Sequence, residues 1–217
     1  MLSQSALFIL RIPVILLALT VHEYCHGWVA WLKGDSTARD AGRLTFNPFA
    51  HLDIFGTLML LFGPFGWAKP VPVNPYNLDN PRRDSVYVSL AGPVSNIVLA
   101  LAFGFTFRIL VGTGAARSMH PYAAVFFQLA VIINLGLSFF NLIPIPPLDG
   151  SKILMGLLPP TRVVSYLNVV QHAPKVFLIL ILAEWGLRVP VFSMVINPLW
   201  KPYFTFWQFI IFGGRVM

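Results

Sequence analysis

Ala6-Leu-Phe-Ile-Leu-Arg-Ile-Pro-Val-Ile-Leu-Leu-Ala-Leu-Thr-Val-His22-Glu23-Tyr24-Cys25-His26 is an apolar run that ends in two histidines and a carboxylate. Residues four apart on a helix lie one above the other, so His22 and His26 can grip one metal ion while Glu23 points to the same side. An unpaired ionisable group at the bilayer centre costs about 2.5 to 3.5 kcal/mol on insertion scales. Three such groups side by side therefore argue for a bound ion. The pattern is that of a zinc hydrolase placed at membrane depth.

The rest of the chain agrees with a membrane setting. Of its 217 residues, 57% are hydrophobic and 11% charged, and the mean hydropathy is +0.73, more apolar surface than one soluble core of this length can hide. The first segment lacks the basic start of a signal peptide and is followed by further apolar segments, so it reads as a retained helix. The single cysteine, Cys25, excludes internal disulfides and faces away from a metal held by its neighbours. The net charge of +7 comes from 15 scattered basic residues with no basic stripe, which fits membrane-protein loops and argues against a nucleic-acid partner. No repeat, low-complexity tract or separate soluble domain is evident, and nothing sets an oligomeric state.

Four stretches read as membrane helices: about Ser5 to Leu32, Val86 to Val111, Tyr122 to Ile143, and one from near Val176 that meets Glu184, Arg188 and Pro190. Tyr203 to Phe212 is apolar but short, and is a further span completed by Val191 to Leu199, a re-entrant piece or an interfacial helix. Between the first two spans, Ile54 to Trp67 is broken by Gly56, Gly63, Pro64 and Gly66 and is too short to cross comfortably. Gly42 to Phe46 and Lys69 to Val73 on either side look extended. Extended backbone at membrane depth must pair with itself or lie against protein or water, so a small hairpin beside the first helix is expected. The expected architecture is a polytopic α-helical membrane protein in one domain. Residues 1–158 form a core with spans at about 5–32, 86–111 and 122–143 and a re-entrant β-hairpin-like region at 42–73. Residues 159–217 add one or two membrane helices.

If Ile54 to Trp67 does not cross, the first and third spans run parallel and their chemistry falls on one face. Lys33, Arg39, Arg43, Lys69, Arg82, Arg83, Lys152 and Arg162 then share that side, while the short Gly112 to Pro121 connection opposite holds only Arg117. By the positive-inside rule the site opens to the cytoplasm.

A catalytic zinc commonly has three protein ligands and keeps a fourth position for water. Of the eight acids, Glu23 adjoins a ligand and suits a base. Asp149 stands out among the others, because in Asn141-Leu-Ile-Pro-Ile-Pro-Pro-Leu-Asp149-Gly150 three prolines prevent a regular helix and Gly150 permits a tight turn. The implied chemistry is hydrolysis of a peptide bond by water on a zinc held by His22, His26 and Asp149, with Glu23 taking the proton. Asn141 is a candidate donor to the developing oxyanion or to the backbone of an unwound substrate.

With His22-Glu23-Tyr-Cys-His26 in a first membrane helix, Gly92-Pro-Val-Ser-Asn96 in the next and Asn141 to Gly150 at the end of a later one, the chain resembles the site-2 protease family of intramembrane metalloproteases. The resemblance covers most of Ser5 to Leu158. It implies one Zn2+ per chain on His22, His26 and Asp149, catalytic Glu23, an assisting role for Asn141, and transmembrane segments of other proteins as substrates. It also implies a multi-pass protein of a bacterial-type inner membrane, in contact with the lipid bilayer. The short 112–121 connection leaves no room for a PDZ-like domain and no nucleotide-sensing domain is appended, so the likeness is to the small members.

Plainer readings stand beside these. Asp149 suits an N-cap for a helix from Gly150, Asn141 a partner for a neighbouring helix, and Gly92 and Asn96 close packing, with Asn96 bridging polar groups. Asn47-Pro48 suits a turn, with His51 and Asp53 orienting the hairpin rather than holding a second metal. The alternative function is a non-proteolytic zinc-binding membrane scaffold, with Cys25 as the fourth ligand that a closed site would need. A metal transporter would need a path of ionisable groups, and the second span offers only Arg108.

Overall fold

The computed structural model describes residues 3–56, 59, 66–188 and 190–214. Its frame is three long helices: α1 (Gln4–Leu32), α2 (Pro81–Gly112) and α3 (Pro121–Leu142). Each begins where the sequence supplies a cap. Ser3 accepts from Ala6 N–H, Asn80 from Arg83 N–H and His120 from Tyr122 N–H, the last two followed by Pro81 and Pro121 in the first turn, the expected cap-then-proline start. α2 thus starts one turn before the expected Val86, because Asn80-Pro81 is a stronger start signal than the onset of apolarity.

α2 packs against both α1 and α3. Small residues make this close approach possible: Ala18, Ala100 and Ala130 are fully buried, as expected where helices associate by backbone proximity in lipid. Beyond α3 the prolines at 144, 146 and 147 hold the chain out of helix until α4 (Asp149–Leu157). α5 (Pro160–Val170) and α6 (Ala173–Leu187) follow, separated by a turn at Gln171–His172, and α7 (Val191–Phe212) closes the chain.

Among the described residues, four helical stretches are long and apolar enough to cross a membrane: Gln4–Leu32, Pro81–Gly112, Pro121–Leu142 and Pro160–Leu187. The protein is therefore a multi-pass helical membrane protein. The fourth begins sixteen residues before the expected Val176, since Pro160 opens a helical stretch that runs on to Leu187 across the turn at Gln171–His172. α7 is one continuous helix through Pro198 and Pro202, joining the two pieces Val191 to Leu199 and Tyr203 to Phe212. Its Ile211 packs with Ala100, Val131 and Leu135 and sits over Gly104, where a Cβ would fall 2.4 Å from Ile211 Cγ2. The Arg108 guanidinium donates to Ile211 O at 3.0 Å, which places an otherwise unaccounted membrane charge on the C-terminal carbonyls of α7.

The expected β-hairpin is not formed. Among the described residues there is no strand, only one antiparallel bridge, Leu52 with Ala68, supported by Lys69 N–H to His51 O at 2.8 Å. The physical reason is in Lys69-Pro70-Val71-Pro72-Val73. Alternate prolines carry no N–H, so a ladder cannot continue. Side chains hold the segment instead. Arg43 donates to Lys69 O at 2.7 Å and Pro70 O at 3.3 Å, and Asp35 accepts from Asn74 N–H at 2.7 Å. Asp35 is fully buried. Burial opposes its ionisation, but bonds from Thr37, Asn74 and Asn77 outweigh that and hold its carboxyl below the usual value. Asn47 accepts from Phe49 N–H and starts a 3-10 turn, Pro48–His51, as the Asn-Pro pair implies. The broken apolar piece from Ile54 to Trp67 lies largely outside the described residues.

Candidate metal centre

His22 and His26 lie on the inner face of α1, both buried, with Nε2 atoms 3.0 Å apart. Asp149 Oδ2 stands 3.2 Å from His22 Nε2 and 3.1 Å from His26 Nε2. These are the only His, Cys, Asp or Glu side chains among the described residues that converge closely enough to hold an ion, within 4.8 Å of one another. α1 and α3 therefore deliver their C-terminal ends to one side, as parallel spans require. His26 lies six residues before the end of α1, about 9 Å along its axis, so the centre lies toward one end of the helix bundle.

The three groups fit zinc. His26 Nδ1 meets the backbone oxygen of Val88 at 2.6 Å. A carbonyl can only accept, so the proton is on Nδ1 and Nε2 offers a lone pair. Nε2 of His22 and a carboxylate oxygen face the same point, an arrangement of electron pairs that a cation resolves. Ligand atoms about 2.0–2.1 Å from a tetrahedral zinc stand roughly 3.3 Å apart, close to the observed spacings. The remaining room comes from Gly92 on α2, where a Cβ would lie 2.4 Å from His26 Nε2 and 2.6 Å from His22 Nε2. Gly92 thus faces the ligands directly, a sharper role than the helix packing its sequence suggests.

Asp149 is the first residue of α4, not its cap, where the helix dipole favours a negative charge. Gly150 makes that position possible, since a Cβ there would be 2.3 Å from Leu142 O and 2.5 Å from Ile143 O at the end of α3. Glu23, one residue beyond His22, accepts from Val71 N–H at 2.8 Å. Asn141 lines the same cavity, with one amide N–H on Leu137 O at 3.0 Å. Cys25 is half-buried and outside the converging group, so the fourth ligand of a closed site is not supplied by it. His51 donates through Nε2–H to Thr45 O, 2.8 Å away, and is likewise outside the group.

The centre opens into a cavity of about 1380 Å3, walled by α1, the 66–75 strip, the end of α3, α4 and the α6–α7 pair. Phe140, Phe177 and Phe192 form part of the far wall, ring on ring. Glu184, an intramembrane carboxylate with no assigned role in the sequence, accepts from Ser193 N–H at 2.7 Å and so caps α7. Sequence reasoning missed Val71 N–H, Val88 O and Asn134. Only Asn134 had a visible signal, a polar side chain inside the apolar run of α3.

The profile described as peptidase family M50 matches residues 113–183, a stretch that holds Asn141 and Asp149. The protein named "Putative zinc metalloprotease YwhC" of Bacillus subtilis is 40% identical over 175 residues, 79% of this chain and 80% of that protein. The one named "Putative zinc metalloprotease Rip2" of Mycobacterium tuberculosis is 31% identical over 189 residues, 84% of this chain and 70% of that protein. No solved structure matches the chain.

Proposed function

The chain belongs to peptidase family M50, the site-2 protease family, as a zinc metalloprotease, and on that premise we propose that it is an intramembrane endopeptidase cutting peptide bonds within or near transmembrane segments of other proteins. One observation carries the reading: His22 Nε2, His26 Nε2 and Asp149 Oδ2 converge within 4.8 Å beside Glu23, at the wall of a cavity of about 1380 Å3. His22, His26 and Asp149 hold the zinc. When bound there, zinc supplies the Lewis acidity that makes water a nucleophile near neutral pH and polarises a carbonyl.

The protein's own groups do the rest. The Val71 N–H fixes one oxygen of Glu23 at 2.8 Å, leaving the other to take a proton from water and pass it to the leaving amine. Asn141 keeps a second amide N–H for the carbonyl oxygen of the scissile bond. An intact helix about 10–12 Å across meets the narrow strip 69–74 at the cavity wall, so the substrate unwinds there and its N–H groups turn to the strip's carbonyls. Lys33 at the end of α1, Arg82 and Arg83 at the start of α2 and Lys152 on α4 lie at the same end of the bundle. That end faces the cytoplasm under the positive-inside rule, and water reaches the site from there.

The test is Glu23→Gln in the full chain, assayed on co-expressed single-span substrates. Cleavage is lost while zinc remains at one per chain. Undiminished cleavage by this variant would remove Glu23 as the base.

A further inference from the structure

A histidine that binds a metal through Nε2 must keep its proton on Nδ1, and the partner of Nδ1 decides whether it does. For His26 that partner is a backbone carbonyl. For His22 it is the side chain of Asn96, with Nδ1 and Oδ1 2.7 Å apart. An amide can present either end. Turned the other way, Asn96 would donate to Nδ1 and drive the proton to Nε2, removing the lone pair that a metal needs.

The orientation of Asn96 is set from α1 and α3 together. Its Nδ2 donates to Ala18 O at 3.1 Å and to Asn134 Oδ1 at 2.9 Å. Asn134 is itself oriented, because its Nδ2 donates to Ala130 O at 2.8 Å. The chain of bonds therefore ends on two backbone carbonyls, which can only accept, and every direction along it follows from them. Reversing Asn96 would set its oxygen against both Ala18 O and Asn134 Oδ1. Asn96 is 0% exposed and Asn134 1%, so no water is at hand to repair the mismatch.

We propose that Asn134 is a positioning residue of the metal centre: acting through Asn96, it holds His22 in the Nδ1–H tautomer and leaves Nε2 free for zinc. The proposal rests on His22 being a ligand, but the tautomer can be read without metal. The full chain, labelled with 15N-histidine and stripped of zinc in detergent micelles at about pH 8, above the ordinary imidazole range, gives two-bond proton–nitrogen correlations that distinguish the tautomers. His22→Gln assigns the His22 signals.

Wild type shows the Nδ1–H pattern at His22. In Asn134→Leu that signal moves toward Nε2–H and the zinc dissociation constant, read by chelator competition, rises by about tenfold, the lower end of what outer-shell partners give. Ser138→Ala, one turn along α3 and bonded to Tyr203 rather than to the relay, changes neither. An Nε2–H signal at wild-type His22 overturns the proposal even if no variant folds. So does Asn134→Leu with an unchanged tautomer and zinc affinity within about twofold of wild type, or an equal shift in Ser138→Ala. A wild type that keeps Nδ1–H yet binds no zinc supports the relay and removes His22 as a ligand.

Discussion

Gly92→Ala is a single-methyl test of the metal centre. The added Cβ would lie 2.4 Å from His26 Nε2, 2.5 Å from His22 Cε1 and 2.6 Å from His22 Nε2. Comfortable contact between such atoms is about 3.5 Å, so each ring must retreat by roughly 1 Å. Metal–ligand distances tolerate only about 0.2 Å, and both rings are tied behind by hydrogen bonds to Val88 and Asn96. Overpacking of this kind costs about 1–3 kcal/mol in stability, while the loss of ligand geometry removes tight binding altogether. We expect purified Gly92→Ala to remain helical, melt somewhat lower, and carry less than about a tenth of the wild-type zinc by mass spectrometry, with the corresponding loss of cleavage. Gly186→Ala, where a Cβ would meet nothing within 4 Å, is the control and keeps full zinc. Wild-type zinc content in Gly92→Ala would refute the placement of the ion beside α2.

Asp149→Ala and His22→Ala should each lose zinc, and a chelator such as 1,10-phenanthroline should abolish cleavage in a way that added zinc restores. Because the Asp35 carboxyl is held below its ordinary value of 3.8, the unfolded chain binds the proton more tightly than the folded one. Its contribution is thus fully present above pH 3.8 and is lost as the pH falls through the folded value. Asp35→Asn should cost about 1–3 kcal/mol near neutrality, and its melting temperature should approach that of wild type in acid; a gap that stays constant with pH would contradict this. Gly104→Ala should loosen α7 by about 1–3 kcal/mol, since its Cβ would strike Ile211, and Ile211→Ala in the same chain should return part of that. Additive losses in a double-mutant cycle would show that the two residues do not meet.

The three spans of the core and the convergence of His22, His26 and Asp149 were legible in the sequence because the signals are local: apolar length, a four-residue helical spacing, prolines before an acid. The sequence misled where local pattern met a backbone constraint. Gly42 to Phe46 and Lys69 to Val73 alternate like strands, but pairing needs N–H groups that Pro70 and Pro72 lack, and side chains such as Arg43 and Asp35 hold the backbone instead. The start of the fourth crossing was hidden because Thr161, Arg162, Ser165 and Asn168 make α5 look like loop. What lay behind the ligands was legible only in part, in Asn96 as a bridge between polar groups. Val71, Val88 and Gly92 act there through main-chain atoms or through a missing side chain, and residue type alone announces none of these.

The strip at the cavity wall has one more consequence. Pro70 and Pro72 have no N–H, and the amides of Lys69, Val71 and Asn74 are taken by His51 O, Glu23 and Asp35. An open sheet edge beside a hydrophobic cleft would be a template for self-association. This one offers oxygens but almost no hydrogens, so two copies cannot zip together through it. A passing chain finds a partner only by donating to it. The same prolines that abolish the hairpin thus keep the strip from sticking to its own kind.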